Sequence, residues 1–278
     1  MARFLVLALI LLTAPAGAQT LDKIRKSGVI TLGYRTDAVP FAFADSDRAP
    51  AGFSVDLCRR VVEGIGRSLK MTLKAAWVPV TSQNRLDQVA SGKIDLECGT
   101  TTVTLGRQAR VDFSLITFLD GGAFLARAGA DAPRSPREMH GARVAVSAGT
   151  TTETALRKMI ADSGSSVEIV TVPGHVDGVN LLIEGKVAMY AADRTVLIGL
   201  LMNAGQVAKL QLLDFMFSYE PYALVMRRDP DFRLAVNREL AAVFREGEIR
   251  GIYGKWFGQF GEPPELLKAL YVIQSFQE

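Results

Sequence analysis

The sequence predicts an α/β fold of two lobes, each a mostly parallel sheet flanked by helices, joined by two crossing segments. Three observations predict it. Short β-branched runs alternate with stretches of helical periodicity through most of the chain. The segments LDQVASGKIDLECG (86–99) and VNLLIEGKVAMYAAD (179–193) share one order of helix, Gly-Lys turn, apolar strand and polar loop, while SGVITLGYR (27–35) and GARVAVSAG (141–149) pair as opening strands. After Tyr222 only one strand and a helical tail remain, too little to fold alone, so the tail returns to complete the first lobe.

The first series opens with a short helix over 21–26, closed by Gly28, and a strand over 29–34. A helix follows over 53–65, ending near Gly64 or Gly66, then a strand over 71–78. A helix over 82–91 is entered from Thr81 as N-cap and stopped by Gly92, and a strand over 94–98 runs into a Thr-rich loop. In the second series Ser135-Pro136 starts a helix that Gly141 stops; a strand over 143–147 precedes a helix opened by Thr150-Thr151-Thr152-Glu153. A strand over 167–172, a helix over 176–184 and a strand over 187–191 complete it. The tail gives a strand to Arg227, a helix over 232–246 and a basic-aromatic helix over 251–257, whose Trp256 and Phe257 pack onto the first lobe. Crossings near 118–122 and 218–222 divide the chain into a first lobe of 19–120 with 222–278 and a second of 121–221.

The first eighteen residues read as an export signal. Arg3 gives a positive start, 4–12 is an apolar run, and Ala16-Gly17-Ala18 is a small-x-small cleavage pattern, so the mature chain begins at Gln19. No cysteine stands near the cleavage point to carry a lipid, which points to the periplasm of a two-membrane bacterium. Basic residues are scattered among acidic ones, and a net charge of +3 over 278 residues excludes a nucleic-acid footprint. In an oxidising compartment Cys58 and Cys98 can pair, but they read equally well as two small buried apolar residues.

Ligands of open α/β sheets bind beyond the carboxyl ends of the strands. The loops there hold Arg35, then Ser82 and Arg85, then Thr100, Thr102 and Arg107 in the first series; in the second they hold Thr150, His175 and Asp193. Arginines grip carboxylates with paired hydrogen bonds, and a helix start at Thr150 offers free N–H groups to an anion, although Thr150 also reads as a plain N-cap. One aspartate facing them would hold an ammonium. That set suits a zwitterion, and the surplus of arginines calls for a second negative group on it.

The segments VTSQNR (80–85), IDLECGTTT (94–102), GRQARVDFS (106–114), SAGTTTE (147–153), GHVDG (174–178), YAADR (190–194) and EPYALVMRRDP (220–230) resemble the family-3 solute-binding proteins of polar amino-acid importers, nearest to the glutamate/aspartate branch. The resemblance implies the type II two-lobed periplasmic-binding-protein fold and capture of glutamate or aspartate between the lobes. It places Arg107 and Thr102, helped by Thr150, on the α-carboxylate. Thr100 and Asp193 fall on the ammonium; Arg35, Ser82, Arg85 and His175 surround the side-chain carboxylate. The chain departs from the acidic branch at Thr100, where serine is usual, at Val103 and at Arg194. Thr100 keeps the hydroxyl while its methyl narrows the pocket. The implied partners are a single acidic amino acid and the permease subunits of an ABC importer, with the protein a monomer and no cofactor or metal.

An enzyme on the same fold, such as a periplasmic dehydratase, is the alternative, along with a binding protein for a neutral polar amino acid. The chain has no GxSxG, no HExxH and only two histidines; the general acid such an enzyme needs would have to be Glu97 or Asp193. A receptor sensing domain would need a membrane-crossing segment, and no later stretch is long and apolar enough to supply one.

Overall fold

A computed structural model describes residues 19–129, 132–203 and 209–278. The expected leader at 1–18 and its cleavage after Ala18 lie outside the described residues. The expected α/β architecture of two lobes is present. Helix α1 (Gln19–Ser27) leads into β1 (Val29–Arg35), the small strands β2 (Asp37–Ala38), β3 (Ala42–Ala44) and β4 (Pro50–Ala51), α2 (Phe53–Leu69), β5 (Lys74–Val80), α3 (Arg85–Ala90), β6 (Leu96–Glu97), α4 (Leu105–Gln108) and β7 (Asp112–Asp120). The chain then crosses to β8 (Gly122–Arg127), β9 (Arg143–Ser147), α5 (Thr151–Ser163), β10 (Glu168–Val172), α6 (His175–Ile183), β11 (Met189–Asp193), α7 (Arg194–Asn203) and β12 (Leu210–Leu212). It returns through β13 (Glu220–Met226) and ends in α8 (Pro230–Arg245), α9 (Glu248–Phe257) and α10 (Glu265–Ile273).

The two main sheets have the orders β5-β1-β6-β13-β7 and β10-β9-β11-β8-β12. In each, the first three strands run parallel and the last two pair antiparallel. The internal similarity in the sequence is therefore a similarity of topology: β1 and β9 hold matching second places, and the turns at Gly92 (φ 71°) and Gly185 (φ 72°) deliver β6 and β11 to the matching central positions.

Several boundaries differ from the sequence reading. Helix α2 passes through Gly64 and Gly66 and ends at the left-handed Lys70 (φ 55°). Those glycines are contact sites rather than stops: a Cβ on Gly64 would lie 1.6 Å from the Glu239 carboxylate of α8, and one on Gly66 would lie 2.8 Å from the Met71 carbonyl oxygen. Helix α3 starts three residues later than expected, because Thr81 and Asn84 first close a turn, each side-chain oxygen accepting from the other's N–H at 3.2 and 2.9 Å. Strands β2–β4, β7, β8 and β12 and helices α4, α7 and α10 are additional to the sequence reading.

The first core is fastened by aromatic rings. Phe41, Phe53, Phe118, Tyr222 and Phe257 meet with centroids 4.8–6.3 Å apart, so that β7, β13, α2 and the end of α9 close on one cluster. Trp256 packs edge-on against Phe43 and donates its Nε1–H to Asp56 at 2.8 Å. Cys58 of α2 and Cys98, just past β6, are joined by a disulfide. At the outer edge of β7, the Gln274 side chain gives and takes two hydrogen bonds with Ile116, at 2.8 and 2.9 Å, covering backbone groups that an edge strand otherwise leaves open.

The two crossings lie side by side. A Cβ on Gly121 would stand 2.6 Å from the Ser218 carbonyl oxygen, and one on Gly122 would stand 2.7 Å from the Ser218 hydroxyl, so only glycine lets these strands approach so closely. Gly122 N–H donates to that hydroxyl at 2.9 Å.

Candidate functional site

The carboxyl ends of β1, β6, β9 and β11 face one another across the cleft, together with the starts of α3, α5 and α6. Arg35 ends β1 at 3% exposure, and its Nη2 pairs with Asp37 at 2.7 Å. The other Asp37 oxygen accepts the His175 N–H at the start of α6 at 2.8 Å, reaching across 138 residues from one lobe to the other. The His175 ring places Nδ1 2.7 Å from the Tyr190 hydroxyl, which is itself 3.0 Å from the Ser147 hydroxyl. Burial, aided by the positive field of Arg35 and Arg85 and opposed by Asp37, pushes the imidazole down to about 4, so it is neutral at pH 7.

Arg85 opens α3 at 2% exposure. One Nη donates to the Thr100 carbonyl at 3.3 Å, its Nε has no partner, and it joins no ion pair among the described residues. Burial pulls its guanidinium down to about 10 against the pull of Glu97, leaving it charged at neutral pH. Opposite, Thr150 caps α5: its hydroxyl accepts from Glu153 N–H at 3.0 Å and donates to the Ser147 carbonyl at 2.8 Å. Asp193 ends β11 and accepts from the Thr152 hydroxyl at 2.5 Å and from the Tyr222 hydroxyl. Burial, with the charge of Glu220 next, raises its carboxyl to about 6. Its neighbour Asp120, at the end of β7, accepts the Thr195 N–H at 3.1 Å and is raised to about 8 by burial and then by Asp193.

One cavity is lined by Arg35, Arg85, Thr100, Thr150, His175 and Asp193, together with Ser147, Thr151 and Thr152. Ser82, Thr102 and Arg107 lie outside that lining. The Ser82 hydroxyl donates across the cleft to the Ala148 carbonyl at 2.8 Å. The Thr102 hydroxyl donates to Glu220 at 2.6 Å, and Arg107, set by the Thr104 N-cap of α4, donates to the Thr102 carbonyl at 2.9 Å. Arg107 is held below its ordinary value by burial, against the negative field of Glu220. Of the two carboxyls considered as general acids, Glu97 is wholly buried and accepts from the Thr101 hydroxyl at 2.8 Å outside the cavity lining.

Residues 30–259 match the model of the bacterial extracellular solute-binding proteins, family 3. The chain belongs to that family. Among curated family-3 proteins it is 33% identical over 246 residues to the glutamate/aspartate import solute-binding protein of Salmonella typhimurium, covering 88% of this chain and 81% of that one. It is likewise 33% identical over 256 residues to the L-glutamate/L-aspartate-binding protein of Pseudomonas aeruginosa, covering 90% and 84%. Among solved structures it resembles an ancestral arginine-binding protein bound to arginine, with a TM-score of 0.76 and 27% identity over 83% of this chain and 99% of that one. An ancestral amino acid-binding protein described as a precursor of cyclohexadienyl dehydratase matches with a TM-score of 0.75 and 27% identity, over 86% and 99%.

Within this family-3 cleft, sequence reasoning missed Asp37, Tyr222, Glu220 and the hydroxyls of Thr151 and Thr152. Glu220 and Tyr222 lie in the EPY run at the second crossing, a position that already marked them as close to the cleft. Asp37 gives no comparable signal, since its role depends on a partner in the other lobe.

Proposed function

We propose that this family-3 protein captures glutamate or aspartate between its lobes in the periplasm and, as a single chain, presents it to the permease of an ABC amino-acid importer. The functional lobes are then 19–120 with 222–278, and 121–221 with hinge segments at its two ends, after removal of the leader at 1–18. The carrying observation is Arg85: a buried guanidinium with an unpartnered Nε beside Arg35 and neutral His175. A cation desolvated in this way gains most from an anion that brings its own charge-assisted hydrogen bonds. Asp193, across the cavity, supplies the acceptor for an ammonium, and the start of α5 supplies N–H donors for a carboxylate. Arg107, behind the cavity lining, completes the proposed ligand shell from the first lobe, with Ser82 and Thr102 beside it, whose hydroxyls already donate to Ala148 and Glu220, and Thr100 adds a hydroxyl near the ammonium. The names of the Salmonella and Pseudomonas relatives support an acidic ligand; those of the structural neighbours support amino-acid capture more broadly. The role is binding without turnover.

Calorimetric titration of the ligand-stripped protein with glutamate, aspartate, glutamine and histidine tests this reading. It predicts one-to-one binding with an acidic amino acid tightest. Preference for glutamine or histidine would keep capture but reject the acidic pocket, and no binding to any of the four would reject capture.

A further inference from the structure

Glu220 opens β13 within the second crossing, opposite Asp120 of β7 in the first sheet, and is 1% exposed. Its Oε2 accepts from the Thr102 hydroxyl at 2.6 Å and from the Thr151 hydroxyl at 2.6 Å, and its Oε1 accepts from the Ser218 hydroxyl at 2.6 Å. Each hydroxyl carries one proton; that of Thr151 faces the carboxylate at 2.6 Å and the Thr102 hydroxyl oxygen at 3.1 Å, and the shorter contact to the charged acceptor assigns it to Glu220. The three donors come from different places. Thr102 bridges to Tyr222 in the first sheet, Thr151 is the first residue of α5 in the second lobe, and Ser218 receives the Gly122 N–H of the other crossing. One buried carboxylate thus gathers both crossings and both walls of the cleft.

We infer that Glu220 is a closure latch: its bond to Thr151 forms when the lobes meet and holds the closed form around whatever ligand lies in the cleft. The inference rests on the proposed capture of an amino acid and adds a source of closing free energy that the ligand does not supply. A bond made only in the closed form slows reopening, so it acts on the dissociation of every ligand alike. Glu220 is in this sense a positioning residue.

Stopped-flow kinetics on the unaltered chain, Thr151→Val, Glu220→Gln, the double variant and Thr151→Ser test the latch. Thr151→Val and Glu220→Gln should each speed dissociation about tenfold, the scale of one hydrogen bond to a charged acceptor. The factor should be the same for glutamate, aspartate and glutamine. The double variant should be no faster than either single one, and Thr151→Ser should restore slow release. Unchanged dissociation in Thr151→Val, or a loss confined to acidic ligands, would overturn the latch. Small-angle scattering reads closure without depending on ligand choice: both single variants should be more open than the unaltered chain, and equal radii of gyration would count against the latch. Failure of the unaltered chain to bind any amino acid would instead overturn the capture reading, with the scattering result still deciding the latch.

Discussion

On the proposed reading, Asp193 sets how the cleft responds to pH. Its carboxyl, raised to about 6 by burial and then by Glu220, must be ionised to hold an ammonium, and a bound ammonium lowers it again. Affinity should therefore be full above pH 6, fall as pH drops through that value, and lose about tenfold per unit below it. Titrations at pH 7.5, 6 and 5 check this, with proton release on binding near pH 6; a flat profile would remove Asp193 from the ligand. Arg107→Ala should weaken every amino acid by tens-fold or more, since truncating one partner of a buried charge pair costs about 2–5 kcal/mol. A loss restricted to acidic ligands would move Arg107 from the α-carboxylate to the side-chain end. At this scale the places of Arg35, Arg85 and His175 in the cavity were legible because each ends a strand or opens a helix, where α/β sheets put ligand groups, whereas Arg107, third in the short α4, lies outside that lining. Asp37 and Tyr222 were not, because their partners, His175 and Asp193, are brought to them only when the lobes meet.

Elements were legible where the chain punctuates them. Thr150 as N-cap, Gly92 and Gly185 as turns, and the repeated helix-turn-strand order all have local causes, and the structure uses them as such. The glycines of α2 misled because a helix glycine that admits a neighbour looks, in one dimension, like a stop; Glu239 is the neighbour that explains Gly64. Strands β2–β4 are too short to show a period, and α10 follows a Pro-Pro pair whose value as a helix start was overlooked. Two interactions fix α2 and α9 on the first sheet. The Cys58–Cys98 disulfide closes a loop of 40 residues, so Cys58→Ser with Cys98→Ser should cost about 2–4 kcal/mol in urea melts; an unchanged midpoint would contradict it. Phe257, 1% exposed among Phe41, Phe53 and Phe118, should cost about 3–5 kcal/mol as Phe257→Ala.

For the molecule as a whole, two similar sheets are joined by two crossings and by side-chain bonds across the cleft, which makes hinge closure the natural large motion. The groups that would meet a ligand are divided between them. Arg35, Arg85 and Thr100 stand on the first lobe, and Thr150, His175 and Asp193 on the second, so a ligand with charges at both ends is satisfied only when the lobes close. The two-lobed plan was readable from the repeat and from the returning tail. The bonds that join the lobes were not, since Ser82 to Ala148, Asp37 to His175 and Thr151 to Glu220 link segments with no local relation in sequence. The central claim is that Arg85 holds the second carboxylate of an acidic amino acid, and the ratio of glutamate to glutamine affinity, measured side by side in the unaltered protein and in Arg85→Ala, tests it most directly. The account predicts a strong preference for glutamate that falls tens-fold in the variant while glutamine binding changes little. An unchanged ratio, or glutamine bound as tightly as glutamate by the unaltered protein, would contradict it.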